Sequence, residues 1–499
     1  MRLTFLALLL FASSALAQMN DAGEVSFANS GAPEAQKPFL HGLALLHDFE
    51  YPDAAEAFRA AQKIDPSFAM AYWGEAMTYT HPVWFQQDAG AARAALARLG
   101  ATPEERLAKA KTERERDYLR AIDVLYGSGT KDERDFKYAD AMRGVHERYP
   151  DDVDATAFYA VALLGTSHGG RDFTIYMRAA ALLEEVLPTH PTHPGVLHYL
   201  IHCYDDPIHA PLGMRAARRY GAVAPNAGHA LHMTSHIFIA MGMWDDVIDA
   251  NRRAIDVVNR QRAAQGKPHN DCGHYALWLH YAYLQEHRVD DARKSLDACR
   301  ASAFAPAFVS VGEMDTYEGR INSFADMRAH QIASGGTLTA ADDVTIPAGS
   351  EHANARFTMA YGDVLAARSD PAALKAAVVR LHELQKNALA STEQHHSMNP
   401  SGRIRAEVMV QQADALLLVA EGKRDEAIAM LEKTARSETS MPFEFGPPVV
   451  EKPTYELLGD ELLAAGRTAD AAAAYRTALE RTPGRTATVE GLRQAQKAR

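Results

Sequence analysis

Helical periodicity runs along almost the whole chain. In "DAAEAFRAAQKIDP", residues 53–66, and "RTADAAAAYRTALERTP", residues 467–483, apolar and small residues recur three and four positions apart, and each run stops at a proline. No stretch alternates apolar and polar residues as a half-buried strand does. The pattern predicts an all-α fold. Two stretches break it: "SGGTLTAADDVTIPAGS", residues 334–350, predicts a loop, and "MPFEFGPPVVEKP", residues 441–453, predicts an extended proline-rich connector.

The spacing of a few residues narrows the type of all-α fold. Gly42, Ala54, Phe58 and Pro66 are separated by 12, 4 and 8 positions, and Gly459, Ala471, Tyr475 and Pro483 repeat those intervals, with Tyr455, Leu458 and Leu462 added in the second set. Together these positions resemble the tetratricopeptide repeat. In that pattern small residues let two antiparallel helices approach, an aromatic fills the space between repeats, and proline stops the second helix. The resemblance implies an α-solenoid of antiparallel helical hairpins. It assigns tetratricopeptide-like repeats to 38–100, irregular helical repeats to 101–190, a histidine-rich set of repeats to 191–300, and further helical repeats to 301–440. A last repeat follows the connector, at 454–499.

Composition adds limits. Of the 499 residues, 47% are apolar and 23% charged, which is ordinary for a packed globular chain. "MRLTFLALLLFASSALAQ" has a basic residue, an apolar run and a small-residue ending, the pattern of a signal peptide over residues 1–17 cleaved after Ala17. Residues 18–37 then form an amino-terminal extension, and the expected location is periplasmic or secreted. No later apolar run reaches the roughly 20 residues that span a bilayer. The net charge is −12 without a basic cluster, so nucleic acid and anionic membrane are poor partners. There are three cysteines, Cys203, Cys272 and Cys299, and an oxidising compartment permits one bridge. Cys203 and Cys272 each neighbour a histidine motif, which makes them a candidate pair for packing or a disulfide.

The candidate chemistry is in "HPGVLHYLIHCYDD", residues 193–206, and its surroundings, because eight of the 22 histidines fall between His190 and His236. His198 and His202 are four apart, as are His232 and His236, and the second pair follows the first by 34 residues, one repeat length. Pro191 and Pro225 keep the same interval. On a helix His229, His232 and His236 lie within about 60° of one another, opposite Leu231 and Phe238. In tetratricopeptide solenoids the first helix of each repeat lines the concave groove, so the resemblance points this stripe there.

Packed helices lie about 8–10 Å apart, so paired histidines on two of them bring four imidazoles to one volume. Zinc, copper or iron uses such a set, with His198, His202, His232 and His236 as the primary ligands. His193, His229 and His274 are further candidates, and Asp205 and Asp206 are hard ligands or acceptors that orient a ligating ring. The motifs His-Pro-Gly-x-x-His-x-x-Ile-His, at 193–202, and His-x-x-His-Met-x-Ser-His-Ile, at 229–237, also resemble those of a group of secreted bacterial tetratricopeptide proteins. That resemblance implies a site and names no reaction.

Three readings of the histidines follow. The groove binds a transition metal, a peptide, protein or small-molecule ligand, or both; it is the active site of a metal-dependent hydrolase or oxidoreductase; or imidazoles and aspartates form a hydrogen-bonded ladder in a protein-interaction scaffold. Isolated histidines, His41, His47, His146, His287 and His382, read as packing or surface residues. Ser167 and His168 in "TSHGGRD" are adjacent, which is not the geometry of a nucleophile and its base.

Overall fold

The computed structural model describes residues 22–305, 317–394 and 401–498. The expected signal peptide lies outside the described residues. These form 23 α-helices and one two-stranded antiparallel hairpin, so the chain is the all-α succession of antiparallel helical hairpins expected from its periodicity. It divides into two compact units, Met1–Tyr204 with Leu212–Thr234, and Asp205–Pro211 with Ser235–Arg499. The division falls inside 191–300. Among the described residues no helix is long and apolar enough to cross a membrane.

In the first unit, helices Pro33–His47 and Tyr51–Ile64 make the opening hairpin. Phe58 is the aromatic wedge of the repeat: a Cβ on Gly42 would lie 3.1 Å from its ring, and one on Gly74 only 2.4 Å. Farther along, Thr112 and Thr130 start helices Glu113–Leu125 and Lys131–Arg148 with capping boxes closed by Glu115 and Glu133. Helix Val153–Leu164 is buried along its whole length, as a sequence apolar or small except at Asp154 and Thr156 favours. The strands are only two residues each: Thr80–His81 pairs with Gln86–Gln87 across the turn Pro82–Trp84, a local pairing with no periodic signature to read in advance.

In the second unit, helices Thr454–Ala464 and Thr468–Arg481 repeat the hairpin. Tyr475 is held between two glycines: a Cβ at Gly459 would lie 2.6 Å from its ring and one at Gly491 2.5 Å, while its hydroxyl donates to Asp460 at 2.8 Å. A side chain at either glycine has to displace the ring. Gly459→Val is therefore expected to destabilise the protein by about 2 kcal/mol or more through overpacking, read as a lowered thermal midpoint; an unchanged midpoint would show that the wedge tolerates displacement. The stretch 441–453 carries no helix.

The cysteine pairing departs from expectation. Cys272 is joined to Cys299, tying the segment before helix His274–Gln285 to helix Val289–Ala303. Cys203 lies buried in helix Pro194–Tyr204 of the first unit, outside the bridge. Proximity to a histidine motif along the chain does not place a sulfur beside another. The hairpin geometry does, by returning Cys299 to Cys272 after 27 residues.

Candidate metal centre

Helix Pro194–Tyr204 begins with proline at its first position, and every residue in it is buried. One turn separates His198 from His202, so both imidazoles leave the same face. Helix Gly228–Ala240 supplies His229 near its start. Within the first unit His198, His202 and His229 each offer a ring nitrogen, and these three atoms all lie within 4.8 Å of one another. The ring centroids are 4.9 Å apart for His198 and His202 and 5.1 Å apart for His198 and His229.

The segment His47–Tyr51, from the first hairpin, completes the surroundings. The His47 carbonyl oxygen lies 2.6 Å from Nδ1 of His198 and accepts its N–H, which leaves the lone pair of that ring on Nε2. Phe49 adopts a left-handed backbone conformation, φ 59°, and lays its ring 4.3 Å from His198 and 5.8 Å from both His202 and His229. Trp84 approaches His229 at 5.7 Å. Glu50 accepts the backbone N–H of His229 at 2.9 Å, a carboxylate placed at a helix start. Burial pushes its carboxyl up to about 7, with the hydrogen bond from His229 acting in the opposite direction. Burial likewise drives Asp48 well above the ordinary carboxylate range, although its Oδ1 accepts the Tyr220 hydroxyl at 2.7 Å.

The histidines are buried under this aromatic cover, where the expectation is a stripe lining a concave groove. His198, His202, His229, His232 and His236 each expose 3% or less of their surface. The helix pattern shows which side carries the histidines, and a segment some 150 residues earlier decides that the side is covered.

The remaining candidates are placed differently. His232 is buried, its ring 6.1 Å from His229 and outside the close trio. His236 belongs to the second unit, with Nδ1 2.9 Å from Asp205 and its ring 4.6 Å from Trp278 and 6.5 Å from His274. Burial pushes His274 down to about 3, aided by His236. Asp206 accepts the backbone N–H groups of Ile208 and His209, which makes it a turn former. His193 sits in a separate cluster with His47 and Asp154. His168 lies 2.9 Å from Asp135, a partly exposed pair with no nucleophile in it.

Two contributors were not legible in the sequence. His47, an isolated histidine that reads as packing, is fully buried, 2.9 Å from Asp154 and 3.0 Å from the Tyr199 hydroxyl. Asp154, in a largely apolar helix, belongs to no histidine motif. Burial pushes the Asp154 carboxyl up, but hydrogen bonds from His193 and His47 outweigh it and hold the group well below its ordinary value.

The fold and cluster define an all-α chain of tetratricopeptide-like hairpins with a buried trio of imidazoles in its first unit. No protein-family model matches the chain, and no curated protein does. Similar solved structures include the Cut9–Hcn1 hetero-tetramer of APC/C, at 12% identity over 99% of this chain and 81% of that chain, TM-score 0.38. The tetratricopeptide domain of P58(IPK) is 14% identical over 93% of this chain and 98% of that one, TM-score 0.23. The human IFIT1 dimer with m7Gppp-AAAA is 12% identical over 97% and 92%, TM-score 0.36. None of these likenesses bears on the histidines.

Proposed function

We propose that this protein binds a transition-metal ion in its first unit through His198, His202 and His229. The observation that carries the reading is the convergence of three ring nitrogens, from two helices, within 4.8 Å. Three neutral imidazoles suit zinc, copper or iron. The His47 carbonyl holds the His198 ring in the tautomer that ligates, and Phe49 and Trp84 exclude bulk water. An ion held by three protein ligands keeps a position open, where it supplies Lewis acidity or, for a redox metal, electron exchange.

The test is elemental analysis of the full chain purified without chelator, beside the His198→Ala/His202→Ala variant. The expected result is a stoichiometric ion in the native chain and one ion fewer in the variant, with helicity retained. Equal metal content in the two folded proteins would return the trio to a packing role.

A further inference from the structure

A second group of donors lies in the same unit, on side chains the trio does not use. We infer that His47, Asp154 and His193 form a second site, which takes a divalent first-row cation such as Mn(II), Fe(II) or Zn(II) on two imidazoles and one carboxylate. Oδ1 of Asp154 lies 2.9 Å from Nε2 of His47 and 3.3 Å from Nε2 of His193, and the three side chains are 4% exposed or less. Donor atoms at such separations match the edges of a coordination shell with bonds of about 2.0–2.2 Å.

The independent observation is Oδ2 of Asp154. It is buried and makes no hydrogen bond, whereas buried carboxylate oxygens are ordinarily satisfied. A clasp made only of hydrogen bonds loads Oδ1 twice and leaves Oδ2 bare. A cation between the carboxylate and the two rings compensates the buried charge and, ligated by both carboxylate oxygens, gives Oδ2 the partner it otherwise lacks.

The surrounding residues serve the same geometry. The Tyr199 hydroxyl, 3.0 Å from Nδ1 of His47, can accept the ring proton and free Nε2 for ligation. Phe158 packs on that ring with centroids 4.7 Å apart. Gly195 makes room for it, since a Cβ there would lie 2.3 Å from Nδ1 of His47. The motif His-Pro-Gly thus supplies a donor, a helix start and the clearance for a second donor. Nδ1 of His193 accepts the N–H of Val196 at 3.3 Å, so ligation through Nε2 moves that ring's proton to Nδ1 at the cost of this one long bond. Access is present as well: His193 lines a solvent groove with Tyr149, Asp151, Asp152 and His190.

The experiment strips the full chain with chelator, reloads it with Co(II) and counts bound ions by elemental analysis. Native protein, His198→Ala/His202→Ala, Asp154→Asn and His193→Gln are compared, with circular dichroism as the check on folding. Two ions in the native chain and one in Asp154→Asn or His193→Gln are expected, with one retained in His198→Ala/His202→Ala. His193→Gln carries the test alone should Asp154→Asn fail to fold. A folded Asp154→Asn or His193→Gln holding as many ions as the native chain overturns the second site and leaves the trio standing. A native chain with one ion, lost only in the Asp154 or His193 variant, overturns the trio instead.

Discussion

Arg485→Ala is expected to destabilise the protein by about 3–5 kcal/mol, the cost of removing one partner of a buried ion pair. Arg485 and Glu456 are both fully buried in the second unit. The guanidinium donates to Glu456 through Nε at 2.7 Å, to the Tyr281 hydroxyl at 3.2 Å and to the Glu451 carbonyl at 3.2 Å. Its removal takes a donor from all three, although Glu456 still accepts from the Thr488 hydroxyl. Lys452, 2.8 Å from Glu456, keeps the carboxylate from complete isolation and places the effect toward the lower end of that range.

Replacing both partners, Arg485→Met with Glu456→Gln, should cost less than the sum of the two single changes, because no uncompensated charge remains. Denaturant unfolding of the four proteins measures this. Additive losses would mean that the pair is not coupled.

The same pair sets an acid dependence. Burial raises the Glu456 carboxyl, yet Arg485 and Lys452 outweigh burial and hold it at about 2, below its ordinary 4.5. A depressed carboxyl contributes stability that is present above pH 4.5 and lost as pH falls toward 2. That loss should be shallower in Arg485→Ala, where less of the depression remains.

The second large effect is stabilisation by metal. An ion that binds only the folded chain stabilises it by RT ln(1 + [L]/Kd), about 4 kcal/mol at a thousandfold excess over Kd. For a unit of this size that corresponds to a rise of roughly 10 °C in the unfolding transition. Scanning calorimetry of the chelator-stripped protein, with and without Zn(II), should show the rise in native protein and a smaller one in His198→Ala/His202→Ala. It should weaken on acidification, since imidazole ligation competes with protons. A transition indifferent to the metal in the native chain would remove the case for the trio.

Much of the fold was legible because helices are local. Apolar residues three and four apart and prolines at helix ends act within a few residues of one another. The hairpin wedges were legible for a related reason. The 12-residue interval from Gly42 to Ala54 and its repeat at Gly459 and Ala471 reflect two helices and a short turn, and Phe58 and Tyr475 pack against glycine as that spacing implies. The pairing of His198 with His202 on one face follows from helical pitch alone.

The repeat length said less about which imidazoles meet. An interval of 34 residues equates His232 with His198, but it does not set the rotation of each helix about its own axis. Packing sets that rotation, and it brings His229 to His198 and His202.

By itself, then, the sequence determined the all-α class, the hairpin packing and the faces on which the histidines stand, all consequences of short-range geometry. The tertiary structure alone decided the rest. It laid Phe49 over the histidines, brought His47 to an aspartate 107 residues away, and joined Cys272 to Cys299 rather than Cys203. Contacts at such separations depend on how whole helices stack, and stacking leaves no periodic trace at the residues that finally touch.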